Sequence, residues 1–201
     1  HYTALVAMFY AMLGVVLSDG GFSFLFFWEL MTVASFLLIL FDAQRREVRR
    51  AALSYLIMMH IGFVLLVIGF VRLDAACGAA TFGALGDYFR TQPGLPLLLV
   101  FLAGFGMKAG LFPMHVWLPE AHPAAPSHVS ALMSGVMIKT GVYGILRVTA
   151  ALGEQPLLHT AGVILLAAGV VTGLWGVILA AIQNDVKRLL AYSSIENVGV
   201  I

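Results

Sequence analysis

The sequence predicts an all-α, polytopic transmembrane helical bundle, and three observations predict it. Hydrophobic residues make up 61% of the 201 positions, only 10% are charged, and mean hydropathy is +0.99. Soluble domains carry about 25% charged residues. Apolar runs of about 20 residues, the length a helix needs to cross the hydrocarbon, recur along the chain. The basic residues gather in short loops that fall on one side once the runs alternate in direction.

Seven spanning segments follow, at 2–17, 22–41, 51–71, 96–113, 129–149, 157–182 and 189–201. The chain begins at His1 and ends inside the apolar run "ENVGVI". The expectation is therefore a single membrane domain, 1–201, from a longer protein, with its outermost segments cut short. The loop "DAQRREVRR" after the second segment holds Arg45, Arg46, Arg49 and Arg50, and Lys187 and Arg188 precede the seventh. With both loops on the cytoplasmic side, the opposite loops retain only Arg72, Arg90 and Arg147. Connections are short except 72–95, which carries Asp74, Gly78, Gly83, Gly86, Asp87 and Pro93. The fourth segment is predicted to be a discontinuous helix near Pro113. Four of the seven prolines (Pro113, Pro119, Pro123, Pro126) crowd into 113–126, and each removes a backbone donor. Broken backbone at membrane depth survives only where protein buries it or water reaches it.

Composition also excludes. The single cysteine, Cys77, forbids an internal disulfide and a cysteine metal site; there is no HExxH, and carboxylates are sparse. No metal or cofactor is expected, and a net charge of +1 gives no reason to expect nucleic acid.

The informative residues are the charges inside apolar runs. Of three lysines, Lys108 and Lys139 fall within spanning segments, and Glu29 lies in "FFWELM". Unpaired, the three would cost about 8–10 kcal/mol even on the lenient insertion scale. A static ion pair would account for one lysine and the glutamate, but not for a trio with excess positive charge. Lysine, unlike arginine, releases its proton when desolvated, so proton handling explains the choice of residues better. His60, at the centre of 51–71, can relay protons or simply bond a neighbouring helix. His115, Glu120, His122 and His128 lie between the break and Lys139. His115 and His122 are the stronger relay candidates; Glu120 and His128 fit an ordinary polar loop equally well. Glu196 lies about two turns into the last segment.

The motifs "FFWELM", "KAGLFPMHVWLPEAHPAAPSHVSALMSG", "KTGVYG" and "NDVKRLLAYSS" resemble the proton-translocating, antiporter-like membrane subunits of respiratory complex I, Mrp antiporters and energy-converting hydrogenases. "HPAAPSHVSALMSGVMIKTG" and "SSIENVG" are most similar to the hydrogenase-4 and formate hydrogenlyase branch. The resemblance covers nearly the whole chain. It implies a fourteen-helix core of two inverted five-helix repeats, of which these segments would be the fourth to tenth helices. It assigns Glu29 to the fifth-helix glutamate, Lys108 to the lysine of the discontinuous seventh helix, and Lys139 to the connecting residue of the eighth. The corresponding group of the second half would lie beyond Ile201.

The resulting expectation is a proton-translocating subunit of a membrane-bound oxidoreductase in a bacterial or archaeal inner membrane. Other membrane subunits and peripheral redox subunits would be its partners, with all redox chemistry in the latter. Glu29 and Lys108 would form a switchable ion pair, and Lys108 would pass its proton to Lys139 through water and His60 or the His115–His122 region. A subunit of a multisubunit Na⁺/H⁺ antiporter is the alternative. A haem carrier would need paired histidines at matching depth, and only His60 is at mid-depth. A passive anchor has no need of Lys108 or Lys139.

Overall fold

A computed structural model describes residues 1–201. The helices are α1 (Tyr2–Leu17), α2 (Gly21–Ile39), α3 (Arg46–Cys77), α4 (Ala84–Thr91), α5 (Gly94–Ala109), α6 (Leu118–Ala124), α7 (Ser127–Leu132), α8 (Ile138–Ala150), α9 (Pro156–Ala181) and α10 (Val186–Val200). A 3₁₀ turn, Met114–Trp117, precedes α6, and a π-helical stretch, Met133–Met137, fuses α7 to α8. Five helical stretches are long and apolar enough to cross a membrane: Gly21–Asp42, Arg46–Cys77, Gly94–Ala124, Ser127–Ala150 and Pro156–Ala181. The outermost segments are shorter, 16 residues in α1 and 15 in α10.

Two expectations need correction. Helix α3 is 32 residues long and takes in Arg46, Arg49 and Arg50, expected in a loop, together with Arg72 and Asp74. Hydropathy ends a span at the first charges, whereas a helix continues for as long as its backbone bonds are made. The long connection 72–95 likewise contains α4, whose buried Leu85, Tyr88 and Phe89 dock it on the bundle.

The two basic loops share one side, as expected: Arg188 lines the same surface cleft as Arg45 and Arg50. At the opposite end, Arg147 donates to the Ser18 carbonyl at 2.6 Å and to Asp19 at 2.8 Å, and lies 3.8 Å above the Phe82 ring. That cluster ties the α1–α2 turn to the end of α8. Between it and the buried charges lies an aromatic layer. Phe24 meets Phe82 at 5.1 Å and Trp28 at 5.3 Å, Phe70 meets Phe101 at 5.1 Å, and Trp28 meets Phe105 at 5.4 Å. All six rings are at most 5% exposed.

Helix α5 ends at Gly110, whose φ of +79° a side chain would resist. The break thus begins three residues ahead of Pro113. The N–H of Phe112, freed by the break, donates to the Thr172 hydroxyl of α9 at 3.0 Å, so the irregular backbone is satisfied inside the protein. Beyond the break, Trp117 is fully buried and donates back to the Met107 carbonyl at 2.9 Å. Helices α5 and α8 touch backbone to backbone: a Cβ added at Gly141 would lie 2.6 Å from Ala109 N and 2.8 Å from Phe105 O. This close crossing brings the helices carrying Lys108 and Lys139 together.

Candidate functional site: two lysines in spanning helices and their polar surroundings

Lys108 occupies the last turn of α5 and is 1% exposed. Its ammonium donates to the Thr32 hydroxyl at 2.8 Å and lies 4.5 Å from the centre of the Trp28 ring. Thr32 directs its own proton at the Trp28 carbonyl, 3.1 Å away, leaving its oxygen free to accept. An aromatic face and a hydroxyl hold a cation by about 2 kcal/mol or more when water is excluded.

Glu29 does not contact Lys108; it lies one turn before Thr32 on α2. Its Oε1 is 3.1 Å from His60 Nε2, while its Oε2 is buried without a protein partner. His60 Nδ1 is 2.9 Å from the Leu56 carbonyl. A carbonyl only accepts, so Nδ1 must carry hydrogen. The Nε2 edge of the ring faces the Glu29 carboxylate across that 3.1 Å gap. His60 thus stands beside Glu29.

A second hydroxyl group lies toward the basic side of Lys108. Ser35, a turn beyond Thr32, meets the buried Tyr55 hydroxyl at 2.5 Å, and Tyr55 in turn touches Met137 of the π-helical stretch at 3.6 Å. Polar groups therefore follow α2 from Glu29 toward the arginine loop. The aromatic layer closes the other direction.

Lys139, half-buried, donates to the Ser134 carbonyl at 2.8 Å. The π-helical stretch there advances the hydrogen-bond register by one residue. Ser134 Oγ is 2.6 Å from Ser194 Oγ of α10. The two serines belong to a cleft of about 430 Å³ between α7–α8 and α10, lined also by His122, Ser130, Lys187 and Asn197. His122 is 1% exposed; its Nδ1 meets Ser130 Oγ at 2.8 Å and its Nε2 is buried without a protein partner. Lys187 donates to the Ala125 carbonyl at 2.8 Å, which fixes the mouth of the cleft on the basic side. The cleft thus runs from that side to Ser134, whose carbonyl accepts from Lys139.

The remaining candidates divide. His115, 6% exposed, stacks on Phe112 and has an unpartnered Nδ1. Glu120 is exposed in the cleft with Arg45, Arg50 and Arg188, and His128 is exposed, 2.6 Å from His1. Both stand apart from the lysines, as an ordinary polar loop would have them. Glu196 lines an apolar groove between α8, α9 and α10. The sequence reading missed Trp28, Thr32, Ser35, Tyr55, Ser130, Ser134 and Ser194. A signal existed for Ser130 and Ser134, four apart and therefore on one helix face.

A helical membrane bundle with a broken helix, a lysine buried against a hydroxyl and an aromatic ring, and a second lysine in the facing helix has the build of an antiporter-like membrane subunit. Residues 18–201 match the family described as NADH:quinone oxidoreductase/Mrp antiporter, transmembrane region; the chain belongs to that family and is a polytopic membrane protein. It is 41% identical over 199 residues to hydrogenase-4 component B of Escherichia coli K12, covering 95% of this chain and 29% of that protein. It is 35% identical over 205 residues to a Staphylococcus aureus protein named as an antiporter subunit, mnhA2, covering 100% of this chain and 25% of that one. Among solved structures, the Mrp complex from a Dietzia species matches with a TM-score of 0.90 at 27% identity, over 99% of this chain and 22% of that one. An archaeal membrane-bound sulfane sulfur reductase matches with a TM-score of 0.91 at 23% identity, over 98% and 41%, a likeness of fold. The chain thus spans less than a third of the curated relatives' length.

Proposed function

We propose that this unit is one half-channel of a proton-translocating membrane subunit, in a membrane-bound oxidoreductase complex of the hydrogenase or complex I type. Other membrane subunits flank it, and peripheral redox subunits supply the driving reaction. One observation carries the reading. The polar groups beside the two lysines, buried Ser35 and Tyr55 next to Lys108 and the cleft at Ser134 and Ser194 next to Lys139, lie toward the basic side, while the rings of Phe24, Phe70, Phe82, Phe101 and Phe105 pack on the other. Such an arrangement admits protons from one face and holds them.

In this mechanism the charge of the Glu29–His60 pair sets the local field at Lys108. When that pair carries negative charge, Lys108 holds its proton against Thr32 and Trp28. When it is neutralised, Lys108 releases its proton toward Lys139 across the α5–α8 crossing. Water, guided by hydroxyls, carries the transfer; Ser134 and the His122 slot receive it.

Truncating Lys108 to alanine in the complete complex, reconstituted in liposomes, is expected to abolish redox-driven proton translocation and to leave part of the electron transfer. Full pumping with that substitution refutes the assignment. The similarity to mnhA2 and to the Mrp complex favours a second reading, a cation/proton antiporter subunit using the same residues. Sodium-for-proton exchange without any electron donor would select it.

A further inference from the structure

The first turns of α3 carry two kinds of surface on one face. Arg46 and Arg50 are four residues apart, and Leu53, Ser54 and Ile57 continue the same stripe. With Arg49, Met58 and Val116, these residues line a groove of about 630 Å³. From 46 to 57 the stripe is about 16 Å long at 1.5 Å per residue, running from the membrane border inward.

The charges at its head form no close ion pair, although Arg50 also borders the cleft that holds Asp42, Glu47 and Glu120. The arginine ion pairs of the structure are Arg45–Asp42, Arg90–Asp87 and Arg147–Asp19, and Arg49 is spent on the Ala43 and Gln44 carbonyls. The guanidinium groups of Arg46 and Arg50 have neither a carboxylate nor a hydrogen-bond partner. No side chain caps the start of α3, and its free N–H groups share the first turn with Glu47. The foot of the groove is the opposite: Leu53, Ile57 and Val116 are 52%, 59% and 53% exposed. A small anion would match the head and leave the foot bare. A hydrophobic helix would match the foot and leave two arginines unpaired. A molecule with an anionic head and a hydrocarbon tail matches both.

We propose that this groove binds one anionic phospholipid, its phosphate on Arg46 and Arg50 and an acyl chain along Leu53, Ile57 and Val116. The inference depends on the membrane orientation alone and not on proton translocation, so either can fail without the other.

The test uses the complete complex in nanodiscs, with spin-labelled phosphatidylglycerol and phosphatidylcholine as probes. The wild-type complex immobilises phosphatidylglycerol in preference to phosphatidylcholine. Arg46→Gln with Arg50→Gln lowers that preference by about fivefold per arginine, and Leu53→Ala with Ile57→Ala weakens both lipids. Arg45→Gln, whose partner is Asp42, leaves the preference unchanged. An unaltered preference in the double arginine variant overturns the proposal. So does an equal loss with Arg45→Gln, which would mean diffuse attraction to a basic loop. Competition by inorganic phosphate as effective as that by the lipid would reduce the site to an anion site. Cross-linking of Arg50→Cys to a neighbouring subunit in place of lipid would assign the groove to a protein interface.

Discussion

Lys139→Leu is expected to reduce proton translocation at least tenfold while the complex still assembles. The ammonium of Lys139 adjoins the cleft lined by Ser130, Ser134 and Ser194 through its bond to the Ser134 carbonyl at 2.8 Å. Leucine fills similar volume, so packing around the π-helical stretch survives. A leucine neither accepts nor donates a proton, and the hydroxyls lose the group they lead to. Removing a charge from a spanning helix relieves an insertion cost of about 2.5–3.5 kcal/mol, so the variant should insert at least as well as the wild type. Lost translocation with undiminished assembly therefore separates a transport role from a structural one. Proton uptake by liposomes containing the variant complex, normalised to subunit content, is the measurement. Uptake at the wild-type rate would remove Lys139 from the pathway.

Gly141→Leu is expected to damage both fold and transport. The Cβ alone would lie 2.6 Å from Ala109 N and 2.8 Å from Phe105 O. These are backbone atoms, so no rotamer change relieves the clash and α5 must move away from α8. Overpacking of this kind costs about 1–3 kcal/mol. Gaining lipid contact does not offset it, because helix association in membranes rests on close packing rather than on hydrophobicity. The displaced helix carries Lys108 at its end, one residue from the contact. A lowered thermal midpoint in a detergent-based unfolding assay and a loss of translocation should therefore appear together. The control is Gly162→Leu on α9, where an added Cβ meets nothing within 4 Å and both readings should stay near wild type.

How much was legible beforehand follows from what each feature costs. Spanning helices announce themselves because an apolar run has no other economical place in water, and five of the seven segments meet the length and hydropathy expected of a span. The arginines that open α3 did not, since polar residues fit a helix end as well as a loop. Glu29, Lys108 and Lys139 were conspicuous because a charge in hydrocarbon is expensive and so demands a reason. Their partners were not. Thr32, Ser194 and Thr172 each bond the carbonyl four residues back, which any serine or threonine in a membrane helix can do. Nothing in the sequence distinguishes Thr32, which also accepts from Lys108, or Ser194 and Thr172, which meet Ser134 and the Phe112 N–H. Glu29 was expected against Lys108, but the rotamers and helix rotations that set it against His60 arise from packing alone. The π-helical stretch carries no proline, and its Ser134–Gly135 pair is the one local sign of an irregular helix.

The account stands or falls on whether Lys108 gives up a proton in each cycle, and Lys108→Arg tests that most directly. Arginine keeps the positive charge and can still donate to Thr32 and lie on Trp28, but it does not deprotonate in proteins. The measurement is the number of protons moved per electron by the complete complex in liposomes. Arrest of translocation by arginine, as severe as with alanine but with the complex intact, is the expected result. A proton-to-electron ratio equal to that of the wild type would mean that charge alone is required at this position, and the proton-carrying role of Lys108 would be wrong.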